Sequence, residues 1–337
     1  MNTADRASEV VRFAIARMRF LRTRERRTLA ETVRSESLFS SLSLTDLAYI
    51  IGRLPELRTW DPKALLADAL ADAEYCASQS IRVSCYEDGD YPPQLRTITD
   101  APYLLFYRGE LPLQDHPMVG IVGTREPSRS GYEAAYELGR DFGAAGVAVV
   151  SGLARGIDAA AHDGCIAGGA ATYAVGGAGI DKVYPVSNRR LAGLILDRGG
   201  ALISEYPPGT PPMRYHFPER NRIISGLVRS VVVVEAPGDS GALITADFAL
   251  DQGREVLVHE VGLKTKQGEG IRRLVDDGAA TVTCAADVLA DWGMVCEGED
   301  NEAECAGVAM AELSPARAGR QLALELSQEL GLGAIDE

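Results

Sequence analysis

MVGIVGTREPSRSGYEAAYELGRDFGAAGVAVVSGLARGID, residues 118–158, decides the fold. Residues 118–122 and 147–151 are two short, almost uniformly apolar and β-branched runs, the pattern of strands buried on both faces. Each run passes directly into a glycine, Gly123 and Gly152, and a stretch of good helix formers lies between them. Strand, crossover helix and strand make a βαβ unit, which requires the two strands to be parallel.

Working outward, apolar runs recur at 171–175, 201–205, 231–235 and 255–259, separated by helical stretches of which several end in glycine. This alternation predicts an α/β fold, an extended Rossmann-like, doubly wound and mainly parallel sheet. A short strand at 281–284 and a helix after it fit the closing edge. Upstream, residues 80–111 hold short β-branched and aromatic runs broken by Asp-Gly and proline turns, an ordered lead-in to the sheet. Residues 1–75 read as helical. Val10, Val11, Ala14, Ile15 and Met18 recur at helical spacing, Ser43 or Thr45 is placed to cap a helix, and Pro62 suits a first turn. The predicted division is a small all-α module over 1–78, the Rossmann-like domain over 79–295, and an acidic tail over 296–337. That tail holds one possible amphipathic helix at 317–330.

The formal charge is −14, but it is unevenly spread. Residues 231–337 carry 7 basic and 21 acidic residues, whereas residues 120–230 carry 12 and 10. An acidic total therefore does not exclude a basic pocket in the middle of the chain. No run of about 18 apolar residues predicts a membrane span. The six cysteines show no C-x-x-C spacing, which points to reduced thiols in a cytoplasmic protein and to no metal site.

Three arginine-bearing segments fall where strands break: GTREPS (123–128), SGLARGID (151–158) and FPERNRIISG (217–226). Glycines allow close backbone approach, helix N-termini offer free N–H groups, and arginine forks onto phosphate oxygens, so the set suits a polyanion. Arg125 and Arg155 read either as phosphate ligands or as structural ion-pair members. Arg220 and Arg222 stand near a helix N-terminus, where the dipole opposes a cation unless an anion joins them. Tyr206, Tyr215 and Phe217 are placed to stack on bases or to pack against the sheet. The loop APGDSG, ending at Gly241, offers another N–H nest, and Glu235 before it reads as a general base, a ribose partner or a structural group. Asp158 and His162, four apart, are placed to pair on one helix face. The arginine-rich start, Arg12 to Arg27, fits a nucleic-acid-binding helix or a solvated face with local ion pairs. G-x-S-x-G, Walker A and H-E-x-x-H are all missing, so no catalytic residue and no cofactor is assigned.

In this order the motifs GTREPS, SGLARGIDAAAH, AVGGAGIDKVYP, FPERNRIISG and VVVVEAPGDSGALITADFALDQGREV resemble the DNA-processing protein A (DprA/Smf) family, over about residues 81–289. The resemblance implies sequence-independent binding of single-stranded DNA, loading of the RecA recombinase during natural transformation, and a homodimer formed through the Rossmann-like domain. It implies a DNA site at Gly123, Thr124, Arg125, Ser151, Gly152, Arg155, Phe217, Arg220, Asn221 and Arg222, with Ser240, Gly241 and Thr245 supplying the adjoining loop. The helical start resembles the family's sterile-alpha-motif-like domain. Two departures stand out. Arg272 occupies a position where the family carries asparagine, in an altered 260–270 loop, and the tail lacks the family's winged-helix pattern. The rival reading is a nucleotide-cleaving phosphoribohydrolase-like enzyme on the same superfold. A dinucleotide oxidoreductase would need the missing glycine fingerprint.

Overall fold

A computed structural model describes residues 7–112 and 116–294, and residues Met1–Gly293 form one compact unit. The expected tail helix at 317–330 lies outside the described residues. Five helices come first: α1 (Glu9–Arg17), α2 (Thr23–Thr32), α3 (Glu36–Ser40), α4 (Leu44–Ile51) and α5 (Pro62–Ser78). Their starts follow from local chemistry. Ser43 caps α4 in a box with Asp46, and Asp61 accepts from Ala64 N at 3.0 Å while Pro62 opens α5.

The sheet then builds from β1 (Arg82–Cys85), β2 (Leu104–Gly109), β3 (Met118–Val122), β4 (Ala148–Ser151), β5 (Thr172–Val175), β6 (Ala201–Ser204), β7 (Ser230–Val233), β8 (Glu255–His259) and β9 (Ala280–Val282). Its order is β1-β2-β6-β5-β4-β3-β7-β8-β9. All pairs from β6 to β9 are parallel, while β1 and β2 add an antiparallel extension on one edge. Every residue of β3 through β7 is buried, as strands covered on both faces must be. The covering helices are α6 (Pro93–Arg96), α7 (Arg129–Ala144), α8 (Ile157–Gly168), α9 (Arg189–Asp197), α10 (His216–Leu227), α11 (Gly241–Asp251), α12 (Glu260–Lys264), α13 (Glu269–Asp276) and α14 (Ala285–Asp291).

Helices α7 and α8 meet backbone to backbone. A Cβ on Gly139 would fall 2.3 Å from Ala161 O, and one on Gly164 would fall 2.0 Å from Tyr136 O. Glycine in these two helices is thus a packing requirement that outweighs its helix cost of about 1 kcal/mol.

The helical start shares a core with the sheet. Val11, Phe13, Leu29, Phe39 and Leu47 belong to one apolar cluster with Phe106, Ala174, Ile195 and Leu202, and the Phe13 and Phe106 rings meet edge to face at 5.5 Å. A second cluster, containing Ile223, Ile224 and Ala246, fills the opposite side. The early arginines are ligated within the fold. Arg12 reaches Asp88 at 3.1 Å, Arg17 reaches Asp72 at 2.6 Å, and Arg27 lies 4.3 Å from the Tyr86 ring centroid. Two of those three contacts cross from the helices to the sheet region, so Arg12 and Arg27 are structural, while Arg22 and Arg24 remain exposed.

Candidate nucleic-acid interface

The sheet reverses its order between β3 and β7, so the connections leaving β3, β4, β5 and β7 crowd along one edge, where α/β folds place ligands. Backbone contacts stitch these loops together. Thr124 N donates to Glu235 O at 2.7 Å, and Thr124 O accepts from Ile157 N at 3.2 Å. Gly156 permits this approach, because its φ is +81° and a Cβ there would stand 2.5 Å from Thr124 O. Gly123 beside it is equally crowded, by Ile157.

Arg125 and Arg155 project from this edge with exposed side chains. Neither has a carboxylate partner among the described residues. The Arg125 guanidinium lies 5.6 Å from the Phe217 ring centroid, and Tyr184 lies 5.4 Å from the same ring. Phe217 in turn covers Gly177, where a Cβ would come within 2.8 Å of it. Two free cations and a paired aromatic surface therefore share one rim, the combination a single strand needs for phosphates and bases. Lys182, also exposed, and Tyr184 line a hollow with Leu153, Gly177 and Ile180. These two residues carry little signal in the sequence beyond a lysine and a tyrosine two positions apart, after the glycine-rich exit of β5 in AVGGAGIDKVYP.

The arginines of α10 behave differently. Arg220 is 5% exposed and donates to Gly152 O at 3.0 Å and to Val175 O. Across Gly152 it faces Asp158: a Cβ on that glycine would be 2.5 Å from Arg220 Nη2 and 2.7 Å from Asp158 Oδ2. Burial pushes the Arg220 pKa down to about 10, so the guanidinium stays charged at neutral pH. Burial also pushes Asp158 up, against the opposing pull of Arg220 and of the Ala154 and Gly152 N–H groups. Arg222 donates to Glu205 Oε2 at 2.5 Å and lies 3.5 Å from Asp100. Burial works against its charge, but those two carboxylates outweigh it and hold its pKa above the usual value. The expectation that these arginines need an external anion to balance their charge is therefore corrected, since carbonyls and Asp158 face Arg220 and two carboxylates face Arg222, whose buried Nη1 alone lacks a hydrogen-bond partner. Asn221, 8% exposed, donates to Gly241 O at 3.0 Å and so ties α10 to the start of α11.

Other expected residues separate in the same way. Ser151 is fully buried, with its hydroxyl donating to Ile121 O at 2.6 Å, and Thr245 is 1% exposed. Neither presents a group to the rim. Ser240 accepts from Ala242 N as the cap of α11, and Gly241 is exposed beside it. Asp158 and His162 do not pair: Asp158 accepts from Gly152 N and Ala154 N, while His162 meets Thr172 at 2.7 Å. Arg272 is exposed and donates to Leu263 O at 3.2 Å. Among the described residues no group of histidines, cysteines and carboxylates is arranged to hold a metal, no cysteine is in a disulfide, and no helix is long and apolar enough to cross a membrane.

Residues 82–293 match the family model described as DNA recombination-mediator protein A. The DNA processing protein DprA of Streptococcus pneumoniae is 42% identical over 205 residues, which is 61% of this chain and 72% of that relative. Protein Smf of Escherichia coli is also 42% identical, over 199 residues, and the match spans 59% of this chain but only 53% of that protein. In three dimensions the chain is similar to the crystal structure of the S. pneumoniae protein, with a TM-score of 0.69 at 35% identity, covering 85% of this chain and 98% of that one. It is also similar to DNA processing protein A from Helicobacter pylori, whose structure describes a single-stranded DNA binding mode. There the TM-score is 0.56 at 25% identity, covering 63% of this chain and 95% of that one.

Proposed function

The chain belongs to the DNA recombination-mediator protein A family, and from that premise we propose that it binds single-stranded DNA without sequence preference and hands it to a RecA-type recombinase. The observation that carries the reading is the rim itself: exposed, carboxylate-free Arg125 beside the Phe217–Tyr184 ring pair, with exposed Arg155 on the adjoining loop at the sheet's switch point. Phosphates would bridge the two arginines and the Gly123–Thr124 and Ser240–Gly241 backbone, with bases on the aromatic face. Arg220, Asn221 and Arg222 would act from inside, fixing α10 under the strand. Homodimerisation and a role in natural transformation come with the family reading, as does a cytoplasmic setting, which suits the free thiols among the described residues.

Fluorescence anisotropy with a labelled dT oligonucleotide across a salt series tests this. Arg125→Ala and Arg155→Ala are each expected to weaken binding on the order of ten-fold at low salt and to reduce the salt slope by about 0.7 per lost phosphate contact. Wild type that does not bind, or variants that match it at every salt concentration, would refute the proposal.

The candidate base of the nucleotide-cleaving alternative is held inside the fold through one of its two oxygens. Glu235 is fully buried, and its Oε2 accepts from Ser128 N at 2.8 Å, at the start of α7. A carboxylate of the protein thus occupies the helix end where a nucleotide phosphate would otherwise sit. Glu235→Ala is expected to cost about 1–3 kcal/mol in urea denaturation, because it strips a charged partner from the partly buried Ser128 amide. No change in midpoint would show that the contact contributes nothing.

A further inference from the structure

We infer that Arg19, in the helical start of the chain, is a positioning residue for the proposed DNA rim, acting through the first turn of α10; the inference rests on the single-strand reading. Arg19 lies just beyond α1, and its contacts reach 197 and 200 residues along the chain. Nη1 meets His216 Nε2 at 2.5 Å, and Nη2 donates to Glu219 Oε2 at 3.1 Å. The same guanidinium lies 5.0 Å from the Tyr206 ring centroid and 5.5 Å from that of Tyr215. One side chain therefore holds two residues of the first turn and the two tyrosines around it.

Besides Arg19, that turn is held by the Tyr206 hydroxyl, which lies 3.0 Å from Glu219 Oε2 and 3.4 Å from His216 O, and by His216 N donating to Met213 O at 3.0 Å. The N-cap position of α10 is Tyr215, in helical conformation, and no side chain caps the helix there. Uncapped first turns leave several N–H groups without intrahelical partners and fray readily. His216 supplies the substitute anchor. It is fully buried, stacked on Tyr206 at 4.1 Å, and its Nδ1 lies 3.2 Å from Gly177 O. Since Arg19 can only donate, Nε2 accepts, so Nδ1 carries the proton and donates to Gly177. Gly177 is the residue that Phe217 covers, and Phe217 carries Arg125 on its ring. Arg19, His216, Gly177, Phe217 and Arg125 are thus linked contact by contact from the helical module to the rim. Arg19 need not touch DNA to set the rim's geometry. Lysine could not replace it, because a single ammonium lacks the planar fork that reaches histidine and glutamate together.

The test compares wild type, Arg19→Ala and Arg19→Lys, with Phe217→Ala and the Arg19→Ala/Phe217→Ala double variant, by dT-oligonucleotide anisotropy over a salt series and by amide hydrogen exchange without DNA. Both Arg19 variants are expected to bind on the order of ten-fold more weakly, the loss of about one stacked base. Their salt slope should equal that of wild type, and amides of residues 215–219 should exchange faster. Adding Arg19→Ala to Phe217→Ala should weaken binding by clearly less than it does alone, since the effect passes through that ring. A salt slope lowered by about 0.7 with unchanged exchange would overturn the proposal and make Arg19 a direct phosphate ligand. Full additivity with Phe217→Ala, or wild-type binding with wild-type exchange, would overturn it as well. If wild type does not bind oligonucleotide, the single-strand reading fails by itself. Exchange at 215–219 then decides the positioning: faster in the variants upholds it, unchanged overturns it.

Discussion

Replacing Arg220 by methionine is expected to lower the stability of the protein by about 3–5 kcal/mol, the usual cost of stripping one member from a buried charge arrangement. Methionine approximates the volume of the side chain but leaves Asp158 without its counter-charge, and the carbonyls of Gly152 and Val175 lose a donor. The apparent melting temperature should fall on the order of 10 °C. Adding Asp158→Asn should recover part of the loss, because the uncompensated charge is then gone. Oligonucleotide binding measured well below the new melting point should keep its salt slope, since this arginine faces carbonyls and a carboxylate. A stability change under about 1 kcal/mol would mean that the charge is held by something other than these partners.

His162 is expected to make the protein acid-sensitive from a pH at which most carboxylates are still ionised. Its Nδ1 meets Thr172 Oγ1 at 2.7 Å, and that hydroxyl already donates to Val149 O at 2.7 Å. The histidine must therefore donate through Nδ1, which leaves Nε2 as the bare nitrogen, buried and without a hydrogen-bond partner. A proton added there would be an unsatisfied buried charge, opposed further by Arg220. Burial, and secondly that arginine, push the pKa down to about 3. In the unfolded chain an ordinary histidine titrates near 6.5. Between those values the unfolded state takes up a proton that the folded state refuses. The stability from this group is complete above about pH 6.5 and falls by about 1.4 kcal/mol per pH unit below it, down to about pH 3. His162→Gln should remove that slope, so the difference between the two proteins' urea stabilities should change by roughly 3 kcal/mol from pH 6.5 to pH 4. Parallel stability–pH curves would show that His162 is protonated in the folded protein.

Much of the fold was legible because it follows from local rules. The runs at 118–122 and 255–259 became strands with those same ends, and the remaining parallel strands fell within a residue or two of their apolar runs. A strand buried on both faces is near-continuously apolar, and the shortness and β-branched content of these runs separate them from buried helix. Ser43 and Pro62 marked helix starts for the same reason, since caps and first turns are chosen by the backbone within three or four residues.

The candidate site was legible only as a list of arginines. GTREPS, SGLARGID and FPERNRIISG announced segments rich in glycine and charge; the first two lie on loops along one sheet edge, and the third forms most of α10. What the letters did not separate is a free arginine from a satisfied one. Arg125 and Arg220 look alike in sequence, yet one is exposed beside a ring and the other is 5% exposed against Gly152 and Val175. The dipole argument for an anion at α10 failed because Glu205, Asp100 and Asp158 come from elsewhere in the chain.

The sequence by itself determined the strand and helix order, the parallel sheet and the segments that meet at its switch point, because short-range sterics, capping and burial periodicity act within a few residues. Only the tertiary structure decided which charges are spent inside and which remain for a ligand, and that Arg19 reaches a helix 197 residues away. Coulomb energy and hydrogen bonding fall off over a few ångströms in space, and chain separation carries no information about that distance until the core has closed.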